Sequence, residues 1–231
     1  MCPRKRLQKI TAWSYSRLSE YCRCPFSAKL KFLDRIKEPQ NAAMARGQSI
    51  HEKAGVFIKG RSKKTPEELE RFTDEFAHLR HIKKSVAIEL ELAVRADWSV
   101  CDWFAKDAWL RAKLDTAYVM DDSWKIIDFK TGKVRPENVE QLDLYAAVAI
   151  AHAPDHVQVI DAELWYLDWG EIIRRTYSRA DALRLQKKYK KDKAVLKMLS
   201  DTTFKPTPGN HCRWCYFGQA KKEEGPGLCK Y

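Results

Sequence analysis

Apolar positions recur along the chain with two periods, and the switches between them mark the elements. Residues 14–33 carry Leu18, Tyr21, Leu30 and Leu33 at helical spacing behind Ser14, a credible cap, with an interruption at Cys24-Pro25. Residues 43–59 and 66–81 also read as helices; Pro66 followed by Glu67, Glu68 and Glu70 is a first-turn pattern, proline needing no amide partner there and carboxylates favoured by the helix dipole. The period then shortens to two. Val86–Ala96, Trp109–Val119 and Trp124–Phe129 alternate as strands. A helix is predicted over 138–152, a hairpin from Val157–Leu167 and Glu171–Tyr177 around Asp168-Trp169-Gly170, and one long basic helix over 179–199. Helices, a strand cluster, a helix and a hairpin predict an α/β fold with a mixed β-sheet core flanked by helices.

Size and charge add a partner class. At 231 residues the chain suits one substantial domain with a small accessory lobe. The net charge is +12, and it is segregated: residues 1–64 carry +12, residues 65–170 carry −9 and residues 171–231 carry +9. An acidic middle between basic ends suits a protein that holds divalent cations beside a phosphate backbone, so nucleic acid is the leading partner. Chance segregation of solvated charge is the bland alternative. No apolar run reaches the ~20 residues of a membrane helix, and Met1-Cys2-Pro3-Arg4-Lys5-Arg6 does not resemble a secretion signal. A cytoplasmic protein with no membrane partner is expected. Seven cysteines in such a compartment favour a metal or cluster over disulfides.

The most informative segment is Leu114-Asp115-Thr116 followed by Ile126-Ile127-Asp128-Phe129-Lys130-Thr131-Gly132. If the two strands form an antiparallel hairpin about Asp121-Asp122, residues pair when their numbers sum to 243, which sets Asp115 opposite Asp128. Like charges so placed repel by up to about 1 kcal/mol even when exposed, and a divalent cation removes the conflict. Lys130 lies two residues beyond Asp128, on the same strand face, where an ammonium can stabilise charge on a phosphate. Gly47 and His51 share a helix face, as do Gln141 and Tyr145. On the residues alone His51 is an ordinary histidine and the Gln141–Tyr145 pair reads as helix packing. Glu89 and Glu91 alternate onto one strand face, as added ligands or as an exposed edge.

Cys212-x-x-Cys215 has a common thiolate-pair spacing, and Cys229 follows a flexible Gly225-Pro226-Gly227 return. A fourth thiolate must come from elsewhere in the chain, Cys24 or Cys22, and His211 could substitute for one of the four ligands. Cys101 and Cys2 read as free thiols. The basic residues interleaved with Tyr189 in 183–191 fit a backbone-gripping surface or a solvated face equally well.

Taken together these motifs resemble the PD-(D/E)XK nuclease superfamily, in particular the RecB-like exonucleases that include CRISPR-associated cluster-containing exonucleases and many phage exonucleases. Ser14-Tyr15-Ser16-Arg17-Leu18 with Tyr21 and Cys24-Pro25, Gly47-Gln48-Ser49-Ile50-His51 and Gln141-Leu142-Asp143-Leu144-Tyr145 are similar to that family's signatures. The resemblance spans nearly the whole chain. It implies a restriction-endonuclease-like fold over residues 1–231, in which 1–40 and 200–231 join both ends in a cysteine-cluster lobe. It implies His51, Asp115 and Asp128 as ligands of Mg or Mn, Lys130 as the catalytic lysine, and Gln141 and Tyr145 beside it. It further implies a 4Fe-4S cluster on Cys24, Cys212, Cys215 and Cys229, with zinc as the rival and Cys229 departing most from the family's spacing.

The activity so implied is exonucleolytic hydrolysis at DNA ends, single-stranded DNA foremost, in phage or prokaryotic recombination, repair or replication. No Gly-x-x-x-x-Gly-Lys-Ser/Thr loop is present, so unwinding calls for a helicase or recombination partner. Endonucleolytic cutting and RNA as substrate share the same chemistry. The alternative from another class is a nuclease-fold protein that binds nucleic acid without cutting it, stabilised by zinc or a cluster.

Overall fold

The computed structural model describes residues 9–135, 138–221, 223 and 225–231; Cys2 and the basic start of the chain lie outside them. The chain divides into two compact units, one of Met1–Pro39 with Tyr189–Tyr231, the other of Gln40–Lys188.

The larger unit is built on a five-stranded sheet of β1 (Ala87–Val94), β2 (Leu110–Met120), β3 (Ser123–Lys130), β4 (Val159–Tyr166) and β5 (Glu171–Ser178), in that spatial order. All neighbours are antiparallel except β3 and β4, which run parallel and are joined by the crossover helix α5 (Val139–His152). A parallel pair needs such a crossover, whereas β2 and β3 need only the Asp121-Asp122 turn. Asp121 takes φ 54°, a left-handed conformation that aspartate tolerates. The β2–β3 pairs, from Thr116–Ile127 to Met120–Ser123, all sum to 243.

The faces of β3 separate its chemistry from its core. Ile127 and Phe129 point to a cluster with Ile50, Phe57 and Ile58 of α3 (Ala42–Ile58) and Phe76 and Leu79 of α4 (Thr73–His81). Phe76, Phe129 and Trp165 meet with ring centroids 5.4–5.9 Å apart, within the range for favourable aromatic pairs. Asp128 and Lys130 point the other way, toward α5. The expected helix over 66–81 is divided: Glu67–Phe72 is a 3-10 segment, and α4 starts after it. With three residues per turn, Leu69 and Phe72 eclipse and enter one core together, both at least 98% buried.

The smaller unit contains α1 (Tyr15–Arg23), α2 (Pro25–Phe32) and α7 (Lys193–Ser200). Ser14 caps α1 through the amide of Arg17, and Pro25 occupies the first turn of α2, which places the interruption at Cys24. Tyr21 donates to Asp201 at 2.8 Å and Trp13 packs on Tyr189. The single long helix expected over 179–199 is two, α6 (Arg179–Lys190) and α7. Asp192 stops the first by capping the second, its carboxylate accepting from the amides of Ala194 and Val195.

Candidate active site

Asp115 sits at a gap in two ladders. β1 and β2 pair on either side of it but not at Glu89–Asp115, where Glu89 takes φ 55°, and the β2–β3 pairs stop one step short, at Thr116–Ile127. The Phe129 amide, beyond the last β2–β3 pair, donates to Asp115 Oδ2 at 2.8 Å, and Asp115 Oδ1 faces His51 Nδ1 at 3.2 Å. His51 reaches it from α3, four residues beyond Gly47. A side chain at Gly47 would put Cβ 3.2 Å from Thr131 Oγ1, so glycine lets the end of β3 lie against the helix. Burial would depress the His51 pKa, but the hydrogen bond to Asp115 and the charges of Asp115 and Asp128 outweigh it and hold the imidazole above its ordinary value.

Asp128 is 4% exposed and lies in a network reaching from α5. Tyr145 donates its phenolic proton to Asp128 Oδ1 at 2.8 Å and accepts from the Gln141 amide, which also donates to Asp128 Oδ1 at 3.2 Å. The Gln141 carbonyl accepts from Lys130 Nζ at 2.8 Å, and Nζ lies 2.6 Å from Asp128 Oδ2. The Gln141 side chain thus spans lysine and carboxylate with one group of each polarity. Burial raises the Asp128 pKa, the Lys130 charge pulls it down, and the Asp115 charge raises it again, for a net shift upward. Burial and the two carboxylates also push the Tyr145 hydroxyl well above its ordinary value, so it stays a donor. Asp128 Oδ2 touches the ammonium but accepts no directed hydrogen bond, which leaves a buried oxygen able to take a cation ligand.

His51, Asp115, Asp128, Lys130, Gln141 and Tyr145 are therefore connected around the middle of β2 and the end of β3. Among the described residues no three His, Cys, Asp or Glu side chains are gathered as the ligand set of one metal ion; His51 touches Asp115, while Asp128 is held by Lys130. The donor set, two carboxylates and an imidazole, suits a divalent cation. Glu89 and Glu91 are exposed, and Glu89 pairs with Lys113 rather than with this group.

In the smaller unit Cys24, Cys212, Cys215 and Cys229 line one cavity with His211, whose Nε2 is buried without a partner. Burial raises the Cys215 thiol, against the pull of the Phe217 and Gly218 amides and of Arg23. Cys22 is exposed and Cys101 belongs to the other unit.

Sequence reasoning missed Asp168. Its carboxylate takes a two-pronged contact from Arg46, at 2.6 and 3.0 Å, and accepts from the Gly132 amide at 2.7 Å. The turn pattern around Gly170 placed the residue, but nothing local announces partners so far away in sequence.

No curated protein matches the chain. Among solved structures, one described as "Crystal structure of SSO0001" is 13% identical, covers 94% of this chain and 90% of its own, and has a TM-score of 0.43. The model of the PD-(D/E)XK nuclease superfamily matches residues 12–220. With that match over the sheet, its helices and the Asp128–Lys130 pair, the chain belongs to the PD-(D/E)XK nuclease superfamily.

Proposed function

We propose that the protein is a metal-dependent DNA exonuclease that hydrolyses phosphodiester bonds at DNA ends, single-stranded DNA foremost, in phage or prokaryotic recombination, repair or replication. The observation that supports this most is the Lys130–Gln141–Tyr145 network around Asp128, with Asp115 and His51 on the adjacent strand and helix. Asp115, Asp128 and His51 would hold Mg or Mn. When bound, the cation supplies an activated water and charge stabilisation for in-line attack.

Lys130, held by Gln141, is placed to neutralise charge developing on a non-bridging phosphate oxygen, which is where an ammonium lowers the barrier. Gln141 and Tyr145 would keep Asp128 oriented by donating two hydrogen bonds to one of its oxygens, which favours the carboxylate against the effect of burial. His51 is a ligand only when neutral, and its contact with Asp115 couples its proton to occupancy of the site. The cavity lined by Cys24, Cys212, Cys215 and Cys229 is the proposed seat of a 4Fe-4S cluster, four thiols and a buried imidazole being suitable donors for a cluster or for zinc.

The test is loss of label from an end-labelled linear single strand in Mg or Mn, with EDTA and Asp128→Asn as controls and a closed circular strand beside it. Metal-dependent loss from the linear strand alone, abolished in the variant, is expected. A wild-type protein that binds but cuts neither strand, nor double-stranded ends, would return the chain to the non-cleaving alternative, and cutting of the circle would make it an endonuclease.

A further inference from the structure

The loop that follows Lys130 is held in an unusual way. Gly132 has φ 86°, a left-handed backbone suited to glycine. Both of its polar backbone atoms are taken by consecutive residues of the β4–β5 turn: its amide donates to Asp168 Oδ2 at 2.7 Å, and its carbonyl accepts from the Trp169 indole N–H at 2.8 Å. The same turn reaches Lys130 itself, since the Leu167 amide donates to the Lys130 carbonyl at 2.9 Å. Asp168 is fixed in turn by Arg46. The Trp169 ring is thus oriented by its own hydrogen bond and still 54% exposed.

Beside it opens a cavity of about 300 Å³ lined by Arg71, Gly132, Lys133, Asp168 and Trp169. Arg71 passes over Gly170, where an added Cβ would meet its Cβ and Cδ at 3.7 Å. Among the described residues Lys133 makes no ion pair or hydrogen bond, and the Asp168 charge is engaged by Arg46. A single exposed tryptophan needs no explanation. One that is pinned, flanked by two cations and tied through its turn to Lys130 is a platform for a flat, anionic ligand. Stacking on an aromatic face with cations tracking the backbone is how unpaired nucleotides are held.

Resting on the nuclease reading, we propose that Trp169, Arg71 and Lys133 form a subsite for one unpaired nucleotide of the substrate strand, its base on the indole and its phosphate between the guanidinium and the ammonium. Gly132 is two residues from Lys130, at most about 7 Å of chain, or two steps at about 3.4 Å per nucleotide of a stacked strand. The bases next to the scissile bond are therefore the ones to test.

The test uses 5′-fluorescein-labelled dT12 and the same oligomer with a single abasic residue one or two positions from the cleaved bond. Trp169→Ala should raise KM for dT12 about 5- to 150-fold with a smaller change in kcat, and Trp169→Phe should restore most of it. The abasic residue should penalise the wild type by a similar factor and add nothing in Trp169→Ala. An unchanged KM, or an equal abasic penalty in both proteins, overturns the subsite while leaving the nuclease intact. If the wild type cuts neither oligomer, the nuclease reading fails, and anisotropy binding of the same pair decides: weaker binding by Trp169→Ala supports the platform and equal binding overturns it. Should Trp169→Ala not fold by circular dichroism, Lys133→Ala carries the test. Its slope of log Kd against log salt should fall by about 0.7, and an unchanged slope overturns the phosphate contact.

Discussion

Replacing Tyr145 by Phe removes one oxygen from the centre of the site and leaves the packing of α5 otherwise untouched. The ring is 4% exposed, so no water replaces the lost hydroxyl without rearrangement. Asp128 Oδ1 loses its donor at 2.8 Å and keeps only the Gln141 amide at 3.2 Å. A hydrogen bond to a charged group contributes about 1.5–3 kcal/mol. The remaining amide and the Lys130 contact at 2.6 Å favour the lower end, about 1.5–2 kcal/mol. Gln141 also loses an acceptor, so its grip on Lys130 loosens, and a comparable loss in the transition state lowers kcat/KM about ten- to thirtyfold. Two measurements test this: urea unfolding at pH 7.5, and cleavage of an end-labelled strand across a Mg titration. In an Asp128→Asn background the same substitution should cost at least about 0.5 kcal/mol less stability, because the acceptor is neutral. If Tyr145→Phe unfolds at the wild-type midpoint and cuts within twofold of it, Tyr145 is packing and not part of the site.

Three further outcomes follow from the same geometry. Because the His51 pKa is raised in the folded protein, the protonated His51–Asp115 contact stabilises fully below the unfolded value of about 6.5 and is lost as pH rises through the folded value. Thermal midpoints in EDTA should therefore show a decline above about pH 6.5 that His51→Gln flattens, and metal-dependent cutting should rise over the same range. Glu163, 2% exposed and bonded to Lys125, Arg174 and Trp165, should cost about 2–4 kcal/mol in urea unfolding when changed to Gln, without loss of specific activity at low denaturant. Anaerobically purified protein should be brown with broad visible absorbance that Cys24→Ser diminishes; a colourless protein with stoichiometric zinc would replace the cluster by zinc.

Much of the larger unit was legible because its signals are local. The Asp121-Asp122 turn fixed the register of β2 with β3, and the period-two runs placed every strand to within two residues. The break at Cys24-Pro25 was visible because proline punctuates. Asp192 was not seen as a boundary, since a single aspartate among lysines looks like ordinary surface until its carboxylate is found on two amides. The placement of Gln141 and Tyr145 beside Lys130 rested on family likeness alone, and their hydrogen bonds to Asp128 were not foreseen, because a crossover separates them. Asp168 lay further out of reach: its partners Arg46 and Gly132 come from α3 and the loop after β3, and only the sheet order brings them together.

The smaller unit is made of the two flanks of the larger one, so its halves are synthesised far apart in time. Helices α1 and α2 are made before the larger unit, while α7 and Cys212, Cys215 and Cys229 follow about 160–200 residues after them, some 8–40 s later at about 5–20 residues per second. The larger unit has its complete sequence by Lys188, ahead of α7 and of Cys212, Cys215 and Cys229. Tyr21 meanwhile lacks Asp201, and Cys24 lacks the three cysteines that share its cavity. Delivery of any cluster or metal to that cavity thus waits until Cys229 has been made. A chain stalled after α6 would have its five-stranded sheet complete and the lining of its cysteine cavity unfinished.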